Sequence, residues 1–318
     1  MRAYIIRRLL LMIPTFFLVT LTIFILLRAV PGSVIDLMVA QSGAAGGGAV
    51  TRENLERSLG LNFPVHIQYL RWIGGIFQGN FGEHIWNRQP ILDDILNRLP
   101  ISLELGLLAL VTALLIALPL GILSAIRQDS GSDYLGRTIA ILFISIPSFW
   151  TATLVVVYPS VWWGWSPEVT YIPFFKAPLR NLGQFIIPAL IMGMVMSGTS
   201  MRMTRTMMLE VLRQDYIRTA WSKGLRERTV VIRHALKNAL IPVITVIGIE
   251  LPVLIAGSVI LETIFNLPGI GQLLIQALGQ RDYPAISGIN VLMAAFILIM
   301  NLLVDLAYAY LDPRIRYD

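Results

Sequence analysis

The sequence predicts an all-α polytopic membrane protein with six transmembrane helices. Hydrophobic residues make up 56% of the 318-residue chain and charged residues only 14%, against roughly 45–50% and about 25% in soluble domains. The apolar residues form long segments, each near or above the roughly 18–20 residues that a helix needs to cross a bilayer. Cysteine is absent, which excludes disulfides and cysteine-ligated metal sites.

Each predicted span corresponds to one of these segments. Five carry no charged residue: Leu9–Leu27, Leu105–Ile126, Thr138–Pro167, Asn181–Met201 and Tyr283–Val304. The sixth, Asn238–Leu261, is interrupted only by Glu250. We interpret the first segment as an anchor helix, because it is too long for a secretory signal peptide and lacks a small-residue cleavage site.

The distribution of Lys and Arg predicts that both ends of the chain face the cytosol. With a cytoplasmic N-terminus, the inside segments hold 16 of the 25 Lys and Arg residues, as the positive-inside rule expects. The net charge of +6 then belongs to a surface beside anionic lipid and a protein partner, and indicates no nucleic-acid partner.

This topology divides the chain into four predicted regions. They are 1–30 (cytoplasmic N-terminus and first span), 31–99 (extracytoplasmic insertion), 100–310 (five-span core with a cytoplasmic loop at 206–239) and 311–318 (cytoplasmic tail). Within the insertion, the glycine-rich Ser42–Gly48 predicts a mobile stretch. The helix and turn signals after it predict a small helical subdomain. Trp162, Trp163 and Trp165 are typical of an outer interfacial belt.

A basic amphipathic stretch between Asp215 and Pro242 stands out among the apolar segments. The pattern predicts a helix that ends at Lys223, a left-handed residue at Gly224, and a second helix from Leu225 to Pro242. The stretch is therefore predicted to be a helix-turn-helix that projects into the cytosol.

Ala220, Gly224 and the later Asn238–Pro242 segment resemble the signature loop of ABC importer permeases, which is the docking element for an ATPase. Arg218-Thr219-Ala220 stands where the general pattern has Glu-Ala-Ala. The resemblance implies a type I ABC importer permease fold. It also implies coupling to the ATPase through nine residues: Arg218, Thr219, Ala220, Lys223, Gly224, Leu225, Arg226, Glu227 and Arg228.

Further motifs along nearly the whole chain resemble the B-type subunit of the dipeptide/oligopeptide/nickel permease family. They include Leu27–Gly32, Gln68–Trp72, Arg98–Pro100, Glu262–Phe265, Pro268–Gly271, Arg281–Pro284 and Leu311–Tyr317. Ser33-Val34 departs from the family pattern, where Asp-Pro is common.

This resemblance implies half of a translocation pore for dipeptides or oligopeptides, in the prokaryotic cytoplasmic (inner) membrane. The implied partners are a C-type permease subunit, one or two cytoplasmic ATPases that hold ATP and Mg, and an extracytoplasmic substrate-binding protein. Glutathione, opine, sugar and nickel-chelate cargo remain open.

The residues of the chain itself indicate no catalysis. No Gly is followed by Lys, so a Walker A loop is absent and ATP hydrolysis is expected on another polypeptide. The three histidines lack metal-ligand spacing, so we expect no bound metal or cofactor. An ion-coupled secondary transporter would favour internal inverted repeats, and an intramembrane enzyme would need a nucleophile–base or metal constellation. Neither pattern is evident.

Three residues are candidates for the translocation path or a helix seam: Glu250, Met194 and Ser197. A carboxylate in hydrocarbon costs roughly 2.5–3.5 kcal/mol, so Glu250 either lines the path or makes an interhelical hydrogen bond. The methionines around Met194 either form an adaptable wall for varied cargo or simply pack. Small residues such as Ser197 permit close helix crossing.

Overall fold

A computed structural model describes residues 2–29 and 62–311 of the chain. The predictions for Ser42–Gly48, Ser33-Val34, the end of the Leu27–Gly32 motif and most of Leu311–Tyr317 lie outside the described residues. Within the described ranges the secondary structure is helical, apart from one isolated antiparallel bridge between Glu83 and Pro90.

The first half of the described chain contains five helices. They are α1 (Arg2–Ala29), α2 (Val65–Phe77), α3 (Ile91–Ile126), α4 (Gly131–Ser145) and α5 (Ser148–Trp163). The second half contains α6 (Pro178–Leu212), α7 (Asp215–Ser222), α8 (Glu227–Thr229), a π-helix (Val230–Leu236), α9 (Lys237–Ile264), α10 (Ile270–Gln280) and α11 (Tyr283–Leu311).

Local sequence explains where several of these helices begin and end. Ser130 caps the start of α4 by accepting a hydrogen bond from the Asp133 backbone N–H at 3.4 Å, as N-cap serines do. Pro178 occupies the first position of α6, where its missing N–H costs nothing. Gly164 ends α5 in the left-handed region at φ 65°, a conformation that glycine adopts without strain.

The chain forms two compact units. The first consists mainly of Leu99–Gln272. The second consists of most of α1, all of α2 and the segment Leu273–Leu298. The predicted four-region division stays a prediction, because these units follow packing and not membrane side.

Four helices in the described ranges are long and apolar enough to cross a membrane: α1, α3, α6 and α11. The pair α4 and α5 would supply a fifth span if the two helices are taken together. The described residues thus contain four to five apolar spans by length and composition, and the count of six stays a prediction. The prediction of one continuous third helix over Thr138–Pro167 was wrong, since α4 and α5 are bent by 88°. Pro147 lacks a backbone N–H and holds Ile146 extended at ψ 119°, which disfavours helix there.

The predicted end of a helix at Pro242 was also wrong. Helix α9 continues through Pro242 to Ile264 and contains the predicted segment Asn238–Leu261. Helix α3 likewise begins at Ile91 and runs through Pro100. A proline removes one backbone donor, and packing against neighbouring helices can keep a helix continuous past that gap.

Small residues bring the helices of the first unit into close contact. A Cβ added to Gly193 would lie 2.7 Å from the Ala109 carbonyl oxygen, and one added to Gly198 would lie 2.7 Å from that of Ala140. These two glycines therefore allow α3 and α4 to lie close against α6. Met192, Met196 and Met201 are buried in the same region, which favours the packing interpretation of the methionines.

Candidate functional site

The segment after α6 forms a short helix, a glycine turn and a second helical segment. Helix α7 ends at Ser222, and Gly224 has φ 72°, which confirms the predicted left-handed residue. The Gly224 N–H donates to the Trp221 carbonyl at 2.9 Å, and the Leu225 N–H donates to the Ala220 carbonyl at 3.4 Å. These two bonds define a Schellman motif, which fixes the direction in which the chain leaves the helix.

Helix α7 buries one side and exposes the other. Ile217 is fully buried and Ala220 is 7% exposed. Both belong to an apolar cluster, which also contains Ala125, Met208, Val230, Val231, Ala235 and Ala239. Of the nine predicted coupling residues, only Ala220 is buried, and the other eight are exposed. Ala220 therefore helps to anchor α7 in the apolar cluster, and the eight exposed residues form an accessible, mainly basic surface.

The second helical segment differs in detail from the prediction. It begins at Glu227 and not at Leu225, and it passes through the π-helix before α9. The Asn238 side-chain amide donates to the Tyr216 hydroxyl at 2.7 Å, which links the start of α9 to α7. The turn is thus attached to the two long helices α6 and α9.

The three predicted path or seam residues lie on α6 and α9. The Ser200 hydroxyl donates to a Glu250 carboxylate oxygen at 3.5 Å, so this carboxylate reaches across to α6. Ser197 is 1% exposed and donates to the Met194 carbonyl of its own helix at 2.7 Å. Met194 is partly buried. The bond from Ser200 to Glu250 crosses from α6 to α9, whereas the bond of Ser197 stays within α6, so a role of Ser197 and Met194 in the path or seam stays a prediction.

A buried carboxylate at Glu262 was not predicted from the sequence. It is fully buried and accepts from the Ser102 hydroxyl at 2.6 Å, the Ser258 hydroxyl at 2.7 Å and the Gln272 backbone N–H at 3.1 Å. A Cβ on Gly269 or Gly271 would lie within 3 Å of this carboxylate. The only sequence signal was that Glu262 and both glycines fall in the family-like motifs.

A second missed carboxylate is Asp133, which forms a bidentate ion pair with Arg205. The sequence offers a local role for Asp133, as an acidic residue in the first turn of a helix, and Arg205 counts among the inside positive charges. Neither of these sequence signals indicates that Asp133 and Arg205 lie in contact.

His84 is one of the three histidines without metal-ligand spacing, and it is buried. It is 8% exposed, and its Nδ1 lies 2.8 Å from Asp282. The described residues contain no group of three metal-ligating side chains.

Two family models match the chain. A model described as the inner membrane component of binding-protein-dependent transport systems matches residues 117–317. A model for the N-terminal part of the membrane component of such systems matches residues 1–106. The chain therefore belongs to the family of inner membrane components of binding-protein-dependent transport systems.

Similar proteins include two bacterial permeases of full length. The oligopeptide transport system permease protein AppB of Bacillus subtilis (strain 168) is 39% identical over 320 residues, with 100% of both chains covered. The dipeptide transport system permease protein DppB of Escherichia coli (strain K12) is 37% identical over 340 residues, with 100% of this chain and 99% of DppB covered. The predicted resemblance to dipeptide and oligopeptide permeases is thus confirmed.

Solved structures of ABC transporters share the fold. The methionine transporter MetNI in inward-facing conformations gives a TM-score of 0.54 at 18% identity, covering 69% of this chain and 96% of its own. An amino acid ABC transporter gives 0.50 at 14% identity, with 70% and 94% coverage. The chain is a multi-pass permease subunit of an ABC importer.

Proposed function

We propose that this chain forms half of a pore for peptides and that the helix-turn segment 215–228 couples the pore to ATP hydrolysis. The exposed basic surface on α7 and its turn carries this proposal. The eight exposed coupling residues lie on α7, in its Schellman turn or directly after that turn, and the opposite side of α7 is held by a buried apolar cluster. Such a segment suits a groove on a partner.

The mechanism follows from how α7 is attached. In this proposal, ATP closes a dimer of ATPases, which displaces α7. Ile217 and Ala220 pack with Met208 of α6, so a displacement of α7 pushes on the end of α6 through these contacts. The bond from Asn238 to Tyr216 transmits the same displacement to α9. Tilting of α6 and α9 would then alternate access to the pore.

The proposed assembly has a C-type permease as the second half of the pore and one or two ATPases that hold ATP and Mg. An extracytoplasmic binding protein delivers the cargo. Peptide cargo is supported by the printed names of AppB and DppB. We further propose six spans in a prokaryotic cytoplasmic membrane, with α9 as the span beyond those found by length and composition and with both termini in the cytosol.

The orientation is tested by cysteine labelling, which is clean because the chain has no native cysteine. Ser166→Cys should react with a membrane-impermeant maleimide in intact cells. Ser222→Cys should react only after lysis. Labelling of Ser222→Cys from outside would overturn the orientation and, with it, the docking surface.

The function is tested by reconstitution. The tagged chain should co-purify with a P-loop ATPase, and vesicles containing the complex and its binding protein should import radiolabelled dialanine or a tripeptide only with ATP. An ion gradient that drives uptake without any ATPase would identify a secondary transporter. The alternative outcome is that the vesicles import glutathione, an opine, a sugar or a nickel chelate with ATP, and no peptide. That result would support the assignment as an importer and would contradict the proposed peptide cargo.

A further inference from the structure

The carboxylate of Asp133 is the meeting point of three structural elements. Arg205 of α6 donates to it from Nε at 2.7 Å and from Nη2 at 2.6 Å. The Ser124 hydroxyl, near the end of α3, also donates to it, and the Asp129 backbone N–H in the connecting loop donates at 3.0 Å. One carboxylate at the start of α4 thus binds α3, the loop and α6.

Burial makes this network intolerant of rearrangement. Asp133 is fully buried, and the Arg205 side chain is 18% exposed. Separating the pair would leave a buried charge without a partner, which is far costlier than losing an exposed ion pair. The planar guanidinium also fixes the geometry, because its two parallel bonds to a carboxylate are directional.

Around the ion pair, α3 and α4 also pack closely against α6. A Cβ on Gly136 of α4 would lie 2.7 Å from the Met201 methyl carbon, and a Cβ on Gly121 of α3 would lie 2.8 Å from Thr204 Cβ. Both neighbours belong to the turn of α6 around Arg205. The helices α3, α4 and α6 are therefore held by close contact as well as by charge.

The network lies directly before the segment that couples to the ATPase. Arg205 is one turn away from Met208, which packs with Ile217 and Ala220 of α7 in the apolar cluster. Ala125, next to Ser124 on α3, belongs to the same cluster. A force applied to α7 therefore reaches α3 and α6 through this cluster, and it reaches α4 through the ion pair between Asp133 and Arg205.

We propose that Asp133 and Arg205 are positioning residues of the transport cycle. They hold α4 and the end of α3 to α6, so that α3, α4 and α6 move as one body when α7 is displaced. This inference rests on the proposed function in one respect, namely that the ATPase is what displaces α7. Without the ion pair, α6 would follow α7 while α4 lagged behind, and ATP would be spent without a full change of access.

A distance measurement tests the shared motion without any cargo. Spin labels at Leu135→Cys on α4 and Glu210→Cys on α6 would be placed in the full complex, with cysteines removed from the partner subunits. Both positions are exposed. Between the nucleotide-free and the vanadate-trapped states, the distance should change by less than about 2 Å, the scale of an ordinary helix shift. With Arg205→Lys added, the distance should shift or broaden between the states.

A second measurement separates positioning from simple stability. Arg205→Lys keeps the charge and loses the bidentate fork, so the amount of dialanine imported per ATP should fall by at least about fivefold, the lower end of usual coupling between sites. A residue that only stabilises the fold would lower the amount of complex and leave this ratio unchanged. Arg202→Lys, at an exposed position of the same helix, is the matched control and should keep the wild-type ratio.

A large change of the wild-type distance would overturn the proposal. So would Arg205→Lys complexes that keep both the wild-type distances and the wild-type import per ATP. If wild-type vesicles hydrolyse ATP and import no peptide, the proposed cargo fails, whereas the distance measurement still decides the positioning role.

Discussion

The helix-turn segment 215–228 and the buried carboxylates of Asp133 and Glu262 are built in opposite ways. In the helix-turn segment, the backbone hydrogen bonds join residues three to five positions apart, and the charged side chains are exposed. Asp133 and Arg205 are 72 positions apart, and Ser102 and Glu262 are 160 apart, yet both carboxylates are fully buried. In the proposed function the turn presents its exposed surface to a partner, whereas the carboxylates join helices to each other.

This contrast predicts different consequences of mutation in the two regions. Exposed ion pairs contribute about 0–1 kcal/mol each, so changes in the turn should affect coupling and leave assembly nearly intact. Buried hydrogen-bond donors that lose their acceptor cost about 1–3 kcal/mol each, so changes at the carboxylates should reduce the amount of folded complex.

The largest effect is expected for Glu262→Ala. The substitution removes the acceptor of two hydroxyls and one backbone N–H, which should cost about 3 kcal/mol or more in unfolding free energy. Thermal unfolding of the purified complex in detergent would measure this loss. Glu168→Ala, which removes an exposed carboxylate 3.5 Å from Arg180, is the control and should cost less than about 1 kcal/mol. Equal losses for the two variants would contradict the assignment of Glu262 as a structural centre.

A smaller effect is expected at Glu250, whose carboxylate meets Ser200 at 3.5 Å. Glu250→Gln keeps an acceptor oxygen and should assemble and transport almost normally. Glu250→Leu loses the bond and should destabilise the complex by about 0.5–1.5 kcal/mol, as measured by the assembled fraction after gel filtration. An assembled Glu250→Gln complex without uptake would instead show that the carboxylate contacts cargo.

The smallest effect on stability is expected for Arg226→Glu, because Arg226 is exposed beside the turn. Its charge reversal should change unfolding by no more than about 1 kcal/mol and should lower ATPase stimulation by the loaded binding protein. The stimulation should fall further at low salt, where the wrong sign on the docking surface is less screened. No salt dependence would indicate that this arginine does not face the ATPase.

The parts of the fold that depend on local sequence were predictable. The long apolar segments mark α1, α3, α6 and α11, and Gly224 marks its own left-handed turn. The break between α4 and α5 and the passage of α9 through Pro242 were not predicted correctly. In both cases a proline supplies the same local signal, and the surrounding helices decide between a bend and a continuous helix.

The buried polar contacts were beyond prediction from a single sequence. Glu250 drew attention because it interrupts an apolar segment, whereas Glu262 lies just after that segment and is the more buried of the two. Asp133 resembles an ordinary acidic residue in a first helical turn, and Arg205 resembles one of many basic residues near a membrane surface. Their pairing depends on how α4 crosses α6, which local patterns do not specify.

The most direct measurement of the coupling role compares Gly224→Val with Gly224→Asn in reconstituted vesicles. Among the described residues, no heavy atom beyond the neighbouring residues of the chain lies within 4 Å of a Cβ added at Gly224, so the φ of 72° is what opposes a side chain there. That conformation costs most residues about 1–2 kcal/mol, and Asn tolerates it better. Gly224→Val should therefore assemble but lose both uptake and the stimulation of the ATPase by loaded binding protein. Each 1.4 kcal/mol of strain at the turn should lower these two activities about tenfold. Gly224→Asn should retain most of both activities. Normal stimulation and uptake by Gly224→Val would contradict the assignment of segment 215–228 as the coupling element.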